Sequence, residues 1–245
     1  MYLDQFYKKN SNIIRVEPEQ GSRFAKEVAG DFNPLHNPEN KRFCVPGDLL
    51  FSMVLCEYGI SAKMKFQFKG MVGKDAELVF PETDAAEFEI QDTTGKGYMS
   101  VEREGDTLKD RKRVEMLSRG YVSFSGQSFP FILVPLLEQQ QTMINPDRPL
   151  VIYESMYFEL KHQEFENLSM RLGDAALDVK GKRGAVALDF NMMDGDEVIG
   201  CGRKTMLISG LVPYDKSEVD RLNRTYEQWK ADYEEQMSGI ESAGC

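Results

Sequence analysis

The sequence predicts an α+β protein in which a buried helix followed by an antiparallel strand meander occurs twice. Between Gly47 and Gly59 lie Leu49, Leu50, Phe51, Met53, Val54, Leu55, Cys56 and Tyr58, apolar on nearly all sides, as a helix enclosed by a core would be. The pattern then changes to period two at Met64-Lys65-Phe66-Gln67-Phe68, which is the signature of a strand. From residue 129 the same order recurs, with an apolar stretch over 129–144 followed by four long extended segments. A unit repeated in layout points to internal duplication, although no short motif is shared by the halves.

In chain order, Ser11 to Val16 read as a short strand. Pro18 suits the first turn of a helix, and Phe24, Ala25, Val28 and Ala29 fall on one face of it. Gly30 is placed to end that helix in a left-handed cap. Asn33-Pro34 and Asn37-Pro38 are turn signals, and Pro38 to Arg42 reads as one short helical turn. After the buried helix, strands are expected at 64–68, 76–80, 86–91, 97–103 and 112–124, with Thr94-Gly95 and Glu104-Gly105 as turns. The second half reads as a helix over 129–144, then strands at 150–162, 168–180, 184–193 and 197–208. An amphipathic helix over 216–237 carries Val219, Leu222, Tyr226, Trp229 and Tyr233 on one side. The expected division is 1–126, 127–212, and a C-terminal helix and tail over 213–245.

Composition narrows the function classes. The 245 residues carry a formal net charge of -10, which repels phosphate backbones and makes nucleic acid an unlikely partner in chemical terms. The longest apolar run, Phe129 to Leu137, is broken by Pro130 and Pro135 and is far short of the roughly 20 residues that would span a bilayer. No membrane insertion is therefore expected. The first residues lack the apolar core of a signal peptide, and the four cysteines show no C-x-x-C spacing. A cytoplasmic chain with free thiols is the expectation. With only two histidines, His36 and His162, and no clustered cysteines, a structural zinc site is not expected.

The segment that concentrates chemistry is Ala29-Gly30-Asp31-Phe32-Asn33-Pro34-Leu35-His36, with an acid, an amide and an imidazole inside six residues. It resembles the signature of MaoC-like dehydratases, the hotdog-fold (R)-specific enoyl-thioester hydratases: a small residue, Gly, Asp, any residue, Asn-Pro, an aliphatic residue and His. The similarity continues through Gly47-Asp48-Leu49-Leu50, Met64-Lys65-Phe66-Gln67-Phe68 and Val72-Gly73-Lys74-Asp75, covering roughly residues 15–125. The resemblance implies a double hotdog, two antiparallel sheets each wrapped around a buried helix, with the motif in the first half and a degenerate second half that supplies the acyl pocket.

The resemblance also implies an activity, reversible hydration of a 2-enoyl thioester on coenzyme A or acyl carrier protein, with no metal or redox cofactor. Asp31 and His36 would direct water and move protons, Asn33 would order the site, and the backbone N–H of Gly47 would polarise the thioester carbonyl. The chemistry is sound without the name. Conjugate addition of water needs one group to take a proton and one to supply it, and a carboxylate with an imidazole does both. The developing enolate oxygen needs donors already aimed at it, which a helix N-terminus supplies.

The chain departs from the family where His-Gly-Met-Leu is usual and Pro46-Gly47-Asp48-Leu49 stands. An ionised Asp48 would oppose a nearby oxyanion; as a helix cap it would point away. Gly-Asp-x-Asn-Pro is also ordinary turn chemistry. Two other functions stay open: a hotdog acyl-CoA thioesterase using Asp48 or Glu57, and a non-catalytic acyl-thioester-binding or scaffold protein. Lys109 to Arg113 is a basic run that a coenzyme A phosphate would suit, though solvated surface is the commoner role. Cys44 reads as a packing residue and His162 as structural or exposed. A second copy of the chain, forming a homodimer, also remains open as a partner.

Overall fold

The computed structural model describes residues 2–243. The chain opens with a hairpin of β1 (Lys8–Asn10) and β2 (Ile13–Arg15). Pro18 then starts α1 (Pro18–Phe24), where the Glu17 N–H donates to Gln20 Oε1 at 3.1 Å in a capping box. A π turn, Ala25–Ala29, carries the helix on to Gly30, whose φ of 65° is the left-handed cap that the glycine allows. The expected helical turn over Pro38 to Arg42 is instead two simple turns, and the ordered turn lies earlier, as a 3-10 helix over Pro34–His36.

The buried helix is α2 (Gly47–Tyr58), with Leu49, Leu50, Phe51, Met53, Val54 and Leu55 no more than 2% exposed. Gly59 ends it at φ 86°, and a Cβ there would lie 2.5 Å from the Leu108 carbonyl oxygen, so the turn into the sheet requires glycine. β3 (Ile60–Phe68) follows at once, then β4 (Glu77–Val79), β5 (Glu87–Asp92) and β6 (Gly97–Leu108).

Residues 112–124, expected as a strand, are helical: α3 runs Arg111–Gly126. The alternation around Tyr121 to Ser125 suggested a strand, but the buried Val114, Leu117, Ser118, Tyr121, Val122 and Ser125 recur at helical spacing. Asp110 caps the helix by accepting from the Arg113 N–H at 2.9 Å. The long helix expected over 129–144 is correspondingly broken. It becomes a π turn (Ser128–Ile132), a seven-residue α4 (Leu133–Gln139) and the short strand β7 (Thr142–Met143), with Pro130 and Pro135 interrupting regular helix. It is α3 that packs beside α2, with Phe51 and Tyr121 rings 4.8 Å apart and Ser118 Oγ donating to Ser52 Oγ at 2.8 Å.

The remaining strands are long: β8 (Val151–Leu160), β9 (Leu168–Lys180), β10 (Arg183–Asp194) and β11 (Glu197–Ser209). The short β12 (Val212–Pro213) pairs with β7, and α5 (Lys216–Ala243) closes the chain. Among the described residues ten strands form a single antiparallel sheet in the order β1-β2-β4-β5-β6-β3-β8-β11-β10-β9. The halves are joined inside it, because β3 pairs with β8 in the register Phe66↔Met156. The fold is thus α+β with one large antiparallel sheet and helices packed on it. Its main core spans both halves, and a smaller cluster, including Leu133, Leu137, Leu188 and Met206, lies under α4. Among the described residues no helix is long and apolar enough to cross a membrane.

One close approach fixes the loop after α1. Gly126, at the end of α3, touches the Ala25–Ala29 turn so tightly that a Cβ would collide with the Ala29 carbonyl oxygen, which is backbone and cannot rotate away. Gly126→Ala is expected to destabilise the protein by about 1–3 kcal/mol through overpacking. Thermal unfolding would show this as a drop of roughly 2–4 °C per kcal/mol; an unchanged melting curve would contradict the contact.

Candidate active site

The residues after Gly30 are held by their own side chains. Asp31 Oδ1 accepts from the Asn33 N–H at 2.9 Å, and Asn33 Oδ1 accepts from the Leu35 N–H at 3.1 Å, capping the Pro34–His36 turn. The Asn40 amide donates to the Pro34 carbonyl at 2.8 Å. Asn33 therefore orders the loop through the backbone. From α5, the Tyr226 hydroxyl donates to the Gly30 carbonyl at 3.0 Å and accepts from the Phe32 N–H at 3.2 Å, while Phe32 meets the rings of Tyr226 and Tyr233 edge-on. The C-terminal helix, 190 or so residues away along the chain, thus clamps the motif from outside.

This loop presents His36 in one orientation. Its Nδ1 lies 2.8 Å from the Cys44 carbonyl oxygen, an acceptor only, so Nδ1 carries a proton. Cys44 itself is buried and contributes that carbonyl rather than a nucleophile. His36 Nε2 then faces Asp31 Oδ2 at 3.6 Å. That is an ion-pair separation, longer than an ordinary direct hydrogen bond, and a water beside the pair can touch both groups. Asp31 keeps 31% of its side chain accessible and His36 12%, so a small molecule can reach both.

Burial alone would push the His36 imidazole down. The adjoining Asp31 carboxylate overcomes it, and the ring is held well above its ordinary value. Burial likewise works against an ionised Asp31, but His36, the Asn33 N–H and Lys204 keep it below the usual carboxylate range. The resting pair is carboxylate and imidazolium.

The same cavity is bounded by the start of α2. Its first N–H groups have no partner within the helix and lie at the positive end of the dipole. Gly47 is needed here, though not to leave open space. A Cβ would sit 2.9 Å from Tyr153 Cδ1 and 3.1 Å from Phe68 Cε1, so the rings of β8 and β3 occupy the room that the glycine frees. Asp48 does not cap the helix, contrary to expectation: the N-cap is Pro46, with no side-chain cap bond. Asp48 Oδ2 accepts from Ser125 Oγ at 2.7 Å instead. Ser125 Oγ accepts from Lys204 Nζ at 2.6 Å, and Lys204 also reaches the Ser125 carbonyl and Ser128 Oγ, each at 3.3 Å. The Lys204 ammonium lies 4.7 Å from the centre of the Tyr153 ring. Burial raises the Asp48 carboxyl and lowers the Lys204 ammonium, and each charge partly offsets the other.

Asp31, Asn33, His36, Gly47 and Asp48 all line one cavity of about 610 Å³. The second half lines it with the polar Lys204 and Tyr153 and the apolar Leu133, Ile144 and Met206, and α5 adds Leu222. Other candidates lie elsewhere. Glu57 pairs with Lys9 at 2.5 Å and lines a different pocket. His162 is 43% exposed beside Glu197. Of the basic run, Lys112 pairs with Glu166 at 2.6 Å and Arg113 donates to the Phe165 carbonyl at 3.3 Å, on the surface.

Sequence reasoning missed Lys204 and Ser125. Lys204 had a signal, since it falls in phase with Gly202, Met206 and Ile208, the inward side of β11. A lysine on the buried phase of a strand is an anomaly that asks for a partner. Ser125 had none while its segment read as a strand.

In sequence, no curated protein matches the chain. In structure, it is similar to the acyl-CoA thioesterase II TesB2 of Mycobacterium marinum, with a TM-score of 0.42, 8% identity, and 88% of this chain and 100% of that one covered. It is also similar to an oleoyl thioesterase from Lactobacillus plantarum, with a TM-score of 0.34, 8% identity, and coverage of 80% and 90%. An acyl-ACP thioesterase from Bacteroides thetaiotaomicron gives a TM-score of 0.33, 7% identity, and coverage of 68% and 92%. Likenesses this distant carry nothing about the reaction. The family model described as "Protein of unknown function (DUF3581)" matches residues 1–217, and the chain belongs to that family.

Proposed function

We propose that this protein hydrates a 2-enoyl thioester reversibly, on coenzyme A or acyl carrier protein, within a double-hotdog fold. The observation that carries the reading is the Asp31–His36 pair at 3.6 Å, oriented by Cys44 and Asn33, lining one cavity together with the start of a buried helix. The first-half strands would wrap α2 and the second-half strands α3, whose Tyr121 and Phe124 rings meet Phe190 of β10 at a tilt, with centroids 5.6 and 5.3 Å away. On this view the division between the halves lies before α3, and residues 127–212 hold the strands that wrap it.

In the hydration direction a water held beside the pair adds its oxygen to the β-carbon, and Asp31 takes its proton. The enolate oxygen so formed faces the α2 N-terminus. Its α-carbon takes the proton on His36 Nε2, and transfer from Asp31 back to His36 restores the pair. Asp48 is held by Ser125 and lies near Lys204, which offsets its charge. The apolar lining of Leu133, Ile144 and Met206 suits the acyl chain.

The test is loss of enoyl-thioester absorbance with purified protein. Absorbance loss matched by an equal release of free thiol would favour the second reading, thioester hydrolysis, for which Asp48 in the wall of the same cavity is the favouring observation.

The pH dependence follows from the two shifts. Activity needs Asp31 ionised, so it falls as pH drops through a carboxylate pKa below 3.8. It needs His36 protonated, so it falls only as pH rises through an imidazole pKa well above 6.5. The rate is expected to be flat across neutral pH; an alkaline limb centred at or below 6.5 would contradict the assignment. Stability carries the same signs. The share from His36 is full below its unfolded pKa and lost as pH rises through the raised one; the share from Asp31 is present above its unfolded pKa and lost as pH falls through the lowered one.

A further inference from the structure

We propose that Ser125 is a nucleophile of a second activity in the same cavity, cleavage of an acyl thioester through an ester on Ser125, with Asp48 as its base and Lys204 as the cation that stabilises its alkoxide. The proposal deepens the hydrolysis reading above, sharing its substrate class and Asp48, and adds a covalent step on Ser125; its residues, bond and product differ from those of the hydration.

The geometry supplies each part. Asp48 and Lys204 come from the two halves of the chain, on α2 and β11, and both bond the hydroxyl of Ser125 between them. Ser125 donates to Asp48 Oδ2 at 2.7 Å and accepts from Lys204 Nζ at 2.6 Å. A serine placed between an acceptor carboxylate and a donor ammonium has a route out for its proton and a counter-charge for the oxygen left behind. Ser125 and Lys204 are 3% and 4% exposed to bulk water, yet all three residues line the cavity wall, so an acyl carbonyl in the cavity reaches them in a desolvated setting. Asp48 Oδ1 is buried without a hydrogen-bond partner, so one oxygen of this carboxylate is left uncommitted by the fold. Burial makes Asp48 a readier proton acceptor than an exposed carboxylate.

The step balances with water as the only co-reactant. Ser125 Oγ forms a bond to the thioester carbonyl carbon as its proton passes to Asp48 Oδ2. The C–S bond breaks, and the thiolate takes that proton from Asp48 and leaves as a thiol, with an acyl ester on Ser125. Water then adds to the ester carbonyl as Asp48 accepts a proton from it. The C–Oγ bond breaks, and Asp48 returns the proton to Ser125. Lys204 keeps its proton throughout. The sum is thioester plus water giving carboxylic acid plus thiol.

The experiment uses the full chain with two probes, a fluorophosphonate and octanoyl-CoA, read by intact mass and peptide mapping. Expected are one fluorophosphonate per chain on Ser125, an octanoyl adduct on the same residue after acid quench, and free thiol release from octanoyl-CoA. Ser125→Ala is expected to lose all three. The wild-type mapping stands even where that variant fails to fold. Absence of label at Ser125 at saturating fluorophosphonate overturns the proposal, as does thiol release undiminished in folded Ser125→Ala. Mass and thiol readouts are separate from enoyl absorbance, so failure here and failure of the hydration reading are distinguishable.

Discussion

Asp31→Asn and His36→Ala are each expected to lower enoyl-thioester hydration by about 10²–10⁴-fold, the usual weight of a positioned acid or base. Asparagine keeps the shape of Asp31, and its amide oxygen can still accept from the Asn33 N–H, so the loop should hold while the base is lost. Alanine at position 36 removes the proton donor and frees the Cys44 carbonyl. The two residues act on one water, so the double variant should be little worse than either single one. Initial rates of absorbance loss, with melting curves as a control for folding, check this. Turnover that survives both substitutions would remove the dyad from the mechanism.

Lys204→Met carries the largest expected cost in stability. It strips the cation from a buried cluster and leaves Asp48 in a site that already disfavours its charge. Removing one partner of a buried ionic pair costs about 3–5 kcal/mol. The combined Asp48→Asn and Lys204→Met variant removes both charges and should recover most of that loss. Denaturant unfolding of the two single variants and the double gives the coupling directly. Additive losses would show that Asp48 and Lys204 do not communicate through Ser125.

Much of this fold was legible in the sequence because its burial is regular. A helix apolar on every side, as over 47–58, has nowhere to sit but a core, and a strand that alternates over ten residues, as β10 does, has one reading. Gly30 and Gly59 marked their turns because only glycine adopts those φ values cheaply. The failure at 112–124 is equally physical. Tyr121, Val122 and Phe124 favour strands by propensity, and the helical spacing shows only when Val114 and Leu117 are counted with them. Missing α3 also hid Ser125. At the site, Asp31 to His36 could be read because the residues are adjacent in sequence. The Asp48–Ser125–Lys204 cluster could not, because its members are 77 and 79 residues apart and meet only through tertiary packing.

The most direct test of the Asp31–His36 assignment is the fate of a 2-enoyl-CoA turned over by the full chain in D₂O, followed by mass and proton resonance. Addition of water across the double bond predicts a 3-hydroxyacyl thioester with one deuterium at the α-carbon and the C–S bond intact. Recovery of the enoyl group with no water added and no deuterium at the α-carbon, whether as thioester or as free acid, would contradict it.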